Sequence, residues 1–423
     1  TNAANSSTPT TLGTAVRRAL AGNKARVAAG VYVGQALGQN WVPSFAVVGD
    51  PAATALNPIV FFAENPAAYN YGNTASYSEL RNLGVPNSTA QAVLGPLSGG
   101  SHVIFDGFYA NEIFSMSGGN TGIFQIASGV TGVQYRRCAF DRQGADYTGT
   151  AGYNPNAIYM QETHDSVVSD CLFMGRPTYP SNLRQTASIE MYNSENYLLQ
   201  YNTHDGSLCG QHAKEQRTEI GPTLQSGRML YNRFIGVTKP LVVQQGISHE
   251  ISYNLSYGST SGEMAFEISN GPDRLGQIAI NLHQNTFVIR GASQGMSLSA
   301  TSDLAGCQFQ NNIVYAESGT SGYMVFPDGA PSTWDWTDWI LNNNCYYEVG
   351  ASPTFWAASQ SLVTGLAAWQ TETSQEANSI SVDPLFVNSA TNDYTLQGGS
   401  PAVGKGCYVT GNEEIGLRAN PTY

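Results

Sequence analysis

The sequence is poor in charge. Of its 423 residues only 12% are Asp, Glu, Lys or Arg, about half the usual share, and just four are lysine. The surface must therefore be made largely of Asn, Ser, Thr, Gln, Tyr and Gly, a set that meets hydroxyl-rich ligands through hydrogen bonds and aromatic contact. Bases are scarcer than acids. The 19 Lys and Arg against 31 Asp and Glu leave a net charge of −12, which repels nucleic acid and anionic membranes at long range. There is no basic patch of the kind nucleic-acid binding needs, so no nucleic-acid partner is expected, and a polyanionic substrate would require a local basic site. No apolar run approaches the ~18 residues of a membrane span. The six cysteines, at 138, 171, 209, 307, 345 and 407, form no CxxC zinc pattern. With few lysines, many Asn and Tyr, and Thr rather than Met at position 1, the chain reads as exported: extracellular, or on a cell or virion surface.

What is present is a repeat. The phrases CAF (138), CLF (171), NTH (202), NRF (232), NLS (254), NTF (285), NIV (312) and NCY (344) start 33, 31, 30, 22, 31, 27 and 32 residues apart. A short apolar strand precedes each, such as NYLLQY, RMLY or WILNN, and a second one often lies further upstream: AIYM, SIEM, PLVV, AFEI. A period of this length points to a solenoid or propeller, and helical spacing is absent, so the coils are β coils with roughly three short strands each. The Asn recurs because a stacked amide can bond both its own backbone and the next amide up the column. Cys138 and Cys171 hold the same column in the first two coils and read as buried thiols, with a disulfide left open.

A solenoid needs covers over its end strands. TTLGTAVRRALAG places Leu12, Ala15, Val16 and Leu20 on one helical face, which predicts a capping helix at about 11–21 ended by Gly22. ARVAAGVYVG then reads as the first strand, and 37–100 as early coils with large loops. At the other end SLVTGLAAWQ reads as a short helix. The expected organisation is a cap and first strand over 1–36, a parallel β-helix with loop insertions over 37–350, and a closing segment over 351–423.

The run AAWQ…NSI…DPLFVN…DYTL…GSPAVGKG resembles the closing segment of many secreted right-handed parallel β-helix repeat proteins, and AGVY…NPIVFFA resembles their opening coil. The resemblance implies an all-β fold, a single right-handed parallel β-helix of the pectate-lyase-like superfamily. That superfamily holds polysaccharide lyases, glycoside hydrolases, epimerases, phage tailspikes and adhesins. It is specific for fold and weak for function.

Titratable groups gather in QYNTHDGSLCGQHAKEQRTEIG, residues 200–221. With Ile158 and Ile189 in register, Tyr159 and Glu190 are expected to point outward in one column, continued by Lys214, Val242 and Glu267. Tyr192, Gln216 and Gln244 are expected in the neighbouring outward column. A lyase needs a cation to hold the uronate carboxylate, a base for the α-proton and an acid for the leaving oxygen. Lys214, Arg217, His204 and His212 are the candidates for these roles. In β-helix lyases Ca²⁺ often bridges acidic side chains and substrate, and Glu190, Glu215 and Glu267 are its candidate ligands here. Trp334 and Trp336 of WDWTDW could stack on sugar rings, or cover the end of the rod. In the chondroitinase-B-like alginate lyases a lysine strand is followed one coil later by an Arg-His pair. The corresponding strand here reads LVVQQG and offers Gln244 and Gln245 instead.

The expected function is cleavage of an extracellular polysaccharide, by β-elimination ahead of hydrolysis. A hydrolase would draw on paired carboxylates ~5 to 9.5 Å apart, for which Glu162 with Glu190 or Glu195 are the nearer choices. The remaining alternative is a non-catalytic tailspike, filament or adhesive protein. A glycan is the expected partner, to a monomer or homotrimer.

Overall fold

A computed structural model of the chain describes residues 20–28, 30–34, 45–47, 50–63, 78–82, 94–96, 101–111, 120–126, 128–141, 154–175, 187–206, 209–214, 226–244, 248–259, 264–269, 279–291, 294–299, 306–328, 336–357, 361–408, 414–416 and 418. The fold is an all-β parallel solenoid. Three long sheets each take every third strand of the chain, with the strands in parallel register throughout. Contacts divide the chain into two units, 1–208 with 417–423, and 209–416.

The repeated phrase is the corner between the first two sheets, and two devices hold it. The residue before each phrase adopts a left-handed backbone: Arg137, Asp170, Tyr201, Tyr231, Tyr253, Gln284, Asn311 and Asn343, with φ between 48° and 59°. For a side chain with a Cβ this costs roughly 1–2 kcal/mol per residue. The Asn that follows offsets the cost by hydrogen bonding. In the second unit Asn232, Asn254, Asn285, Asn312 and Asn344 form a buried ladder. Each backbone N–H donates to the Oδ1 of the next Asn at 2.9–3.0 Å, from Asn232 through Asn312. Each Nδ2 of Asn254, Asn285, Asn312 and Asn344 also donates to a strand carbonyl of the coil below, at 2.8–2.9 Å. In the first unit Asn202 does the same for the N–H of Cys171 at 3.0 Å, and Cys138 and Cys171 are buried free thiols.

Alternation sends every second side chain into the core. In the first unit Phe61, Phe105 and Tyr135 stack at 5.8 and 5.3 Å. In the second, the ladder ends where Asn344 N–H meets Ser379 Oγ at 2.8 Å and its amide meets the Glu376 carboxylate at 3.2 Å. The closing helix is Leu366–Thr373, inside and beyond the run expected to hold it. Its Trp369 is fully buried, stacked on Phe355 at 4.7 Å.

Two readings change at the N-terminal end. The run taken as one first strand is two, Lys24–Val27 and Gly30–Gly34, in different sheets, because the chain turns the first corner inside it. The capping helix at 11–21 lies outside the described residues, except for Leu20 and Ala21, which run into a turn at Gly22 with φ 73°.

Candidate active site

The strand Cys209–Lys214 of the second unit carries the candidate chemistry. Gly210 is required there, since a Cβ would lie 2.5 Å from the Phe234 ring and from the Pro240 carbonyl. Gln211 and Ala213 pair with Leu241 and Val243 and face the core, which puts His212 and Lys214 on the other face of the sheet. There His212 aligns with Val242, Glu267 and Ser297 across successive strands, and Lys214 aligns with Gln244 and Ser269. The expected columns are thereby corrected. Lys214 stands two residues along from the place assigned to it, and His212 takes that place. Lys214 sits beside Gln244 instead, in the position given to Gln216.

This face is charged and largely shielded. Lys214 is only 8% exposed and His212 3%. Lys239 Nζ donates to Glu267 Oε2 at 2.8 Å. His212 is pushed down to about 3, first by burial and then by the ammonium groups of Lys214 and Lys239, so its ring is neutral at physiological pH. Gln244 opposes that shift, although its buried Oε1 completes no hydrogen bond of good geometry. Of the titratable groups gathered in 200–221, His212 and Lys214 do share a face. Lys239 was missed as a member, and its rarity as one of four lysines was the available signal.

His204 does not belong to this group. It pairs with Phe173 and continues the Phe140–Phe173 stack at 4.7 Å with rings 6° from parallel, fully buried in the core of the first unit. Burial alone holds it neutral, with its pKa lowered to about 3. Tyr159 and Glu190 do share a column in the first unit, as expected from the Ile158–Ile189 register. Both are buried rather than open to solvent, and Glu190 accepts a hydrogen bond from Asn156 Nδ2 at 2.6 Å. Tyr192 lies 6.5 Å from Tyr159, ring to ring. Trp336 is 5% exposed and packs edge-on against Trp369 at 5.0 Å, so it covers the end of the core and presents no face to a sugar. Trp334, Glu215, Gln216 and Arg217 lie outside the described residues.

Calcium finds no ligand set among the described residues, where no three His, Cys, Asp or Glu side chains gather. Of its expected ligands, Glu267 is engaged by Lys239 and Glu190 by Asn156. No helix among the described residues is long and apolar enough to cross a membrane.

The architecture is shared with a solved polysaccharide lyase. A PL6 family polysaccharide lyase from Pseudopedobacter saltans superposes with a TM-score of 0.53 at 11% identity, over 97% of this chain and 98% of its own. A mutant of the PL6 family alginate lyase AlyGC gives a TM-score of 0.40 at 12% identity, over 97% of this chain and 58% of its own. Identities this low establish the parallel β-helix fold and nothing finer. No protein-family model and no curated protein matches the sequence.

Proposed function

We propose that the chain is an extracellular polysaccharide lyase that cleaves a uronate-bearing glycan by β-elimination at the face carrying Lys214, His212 and Lys239. One observation carries the reading. A chain of net charge −12 concentrates two of its four lysines around a neutral, buried imidazole, in a shielded site where their field is strong. Such a site attracts a carboxylate, which supplies the local basic centre that a polyanionic substrate needs. The fold shared with a PL6 polysaccharide lyase over nearly the full length of both chains adds to it.

The chemistry follows from the positions. A uronate carboxylate that shares the Lys239 ammonium with Glu267 loses its charge penalty, and the proton on the adjacent carbon becomes acidic. Lys214, only 8% exposed, is the group proposed to remove that proton, as its neutral amine. The electron pair left behind forms the new C=C bond and expels the glycosidic oxygen. The ammonium formed on Lys214 returns its proton to that oxygen, so protons balance. His212, neutral throughout, supplies a ring nitrogen for a substrate hydroxyl. Gln244 beside Lys214 stands where the alginate-lyase family has arginine, a departure that counts against that family's own mechanism here, and the carboxylate is therefore given to Lys239.

The test is incubation with alginate, polygalacturonate and chondroitin sulfate, following the ultraviolet absorbance of the unsaturated product. Lys214→Ala should lower turnover by about 10²–10⁴-fold with little change in melting temperature. Cleavage that yields reducing ends without the absorbance would favour hydrolysis. Full activity in Lys214→Ala would reduce the cluster to a salt-bridged face.

A further inference from the structure

The column that begins at His212 does not end at Glu267. Glu267 aligns with Ser297, and Ser297 aligns with Phe326 of the strand Val325–Asp328. Phe326 is therefore outward-facing, two strands beyond Glu267, or about 10 Å along the sheet. It does not stand alone. Its ring lies 5.6 Å from that of Tyr323, 12° from parallel, and 6.0 Å from Trp356, while Tyr323 and Trp356 are 5.2 Å apart. All three remain partly exposed.

Outward positions of a β coil ordinarily go to polar side chains, and this column is otherwise His212, Val242, Glu267 and small Ser297. Three partly solvated rings at its far end are costly unless something stacks on them. Core packing does not account for them. The end of the core is already closed by Phe355, Trp336 and Trp369, which are buried, whereas Trp356 is the neighbour of Phe355 on the opposite face of the strand Thr354–Trp356.

We infer that Tyr323, Phe326 and Trp356 form a stacking platform for a pyranose ring of the glycan, one to two sugar units along the chain from the carboxylate held near Lys239. The inference rests on the proposed lyase reading for its direction and ligand class. It adds a residue set that holds the chain in line with the column, so that the reacting sugar is placed by contacts remote from it. The rings recognise the apolar face of a sugar rather than its charge, so they should matter for short and long chains differently. An oligomer too short to reach from Lys239 to Phe326 gains nothing from them.

The experiment is affinity electrophoresis in gels containing alginate, polygalacturonate or chondroitin sulfate, run beside turnover of the same polymers. The proteins compared are wild type, Trp356→Ala, Trp356→Phe and Phe326→Ser, the last copying the serine one strand before it. Trp356→Ala and Phe326→Ser should weaken retardation and raise KM by about tenfold with kcat nearly kept, and Trp356→Phe should restore most of the loss. A thermal melt of each variant identifies any that fails to fold, and the conservative Trp356→Phe then decides by its KM on long against disaccharide-length substrate. Unchanged retardation and KM in folded Trp356→Ala, with Lys214→Ala inactive, overturns the platform and leaves the lyase reading standing. A wild-type protein that is neither retarded by nor active on any of the polymers overturns both. Self-association of wild type that Trp356→Ala abolishes would assign the rings to a second copy of the chain and overturn the platform.

Discussion

Replacing Asn285 by Ala tests the device that fixes the corner between the first two sheets in the second unit. The Asn285 side chain takes part in five hydrogen bonds. Its Oδ1 accepts from Asn254 N–H at 3.0 Å and Asn254 Nδ2 at 2.9 Å, and its Nδ2 donates to Ile251 O, His283 O and Asn312 Oδ1 at 2.9–3.0 Å. Alanine removes all of them at a site with no access to water. The amide of Asn254 keeps Met229 O and Ser252 O as acceptors, but the Asn254 backbone N–H is left buried without one. That orphan costs about 1–3 kcal/mol, and the other lost bonds add a few tenths to about 1 kcal/mol each. The bond from Asn285 Nδ2 to His283 O, which spans the left-handed Gln284 at φ 48°, is lost with them. The sum is about 3–5 kcal/mol, read as a fall in the midpoint of urea unfolding followed by circular dichroism. Because solenoid coils interact chiefly with their neighbours, hydrogen exchange should show the loss concentrated in Ser248–Ser252, Leu255–Tyr257 and Thr286–Ile289. Asn285→Cys, which copies Cys138 and Cys171, should lose somewhat less. Both variants within about 1 kcal/mol of wild type would refute the claim that the ladder holds the corners.

Three further outcomes are expected. His204 is held at a pKa of about 3 in the fold against an ordinary 6.5, so between those values the unfolded chain binds more protons and stability falls as pH falls. His204→Phe, which extends the phenylalanine stack, should remove about 2 kcal/mol of the loss between pH 7 and pH 5, and melting curves across that range check it. Arg418 donates to both oxygens of fully buried Asp170 at 2.7 Å and lies over the Tyr201 ring at 4.0 Å, so Arg418→Ala should destabilise the first unit by about 3–5 kcal/mol, measured by urea unfolding. Chelation with EDTA should leave turnover within about twofold if Lys239 alone neutralises the uronate carboxylate as proposed; a loss restored by added calcium would count against a lysine-only mechanism and return Glu190, Glu215 and Glu267 as ligands.

The sequence showed the coils and not the site because the two leave different marks. A corner asparagine is bonded to the residue above and below, so it recurs at the coil period and can be read from one chain. The same alignment held an unread answer about His204. The third letters of the repeated phrases run Phe140, Phe173, His204, Phe234, and the histidine occupies a core position usually filled by an aromatic ring. The outward columns carry no such repetition. Alternation fixes only which face a residue takes, so a slip of one residue moves core side chains into solvent and is excluded, while a slip of two keeps every side chain on its face. Lys214 was displaced by that permitted slip. Aligned on parity alone it falls beside Val242, and aligned on the hydrogen-bonded register it falls beside Gln244. The two-residue difference decides which groups share its electric field. It puts His212 rather than Lys214 in the column of Val242 and Glu267, and sets Lys214 in the next column beside Gln244 and Ser269, so the lysine is one column removed from the carboxylate that parity alone would stack on it.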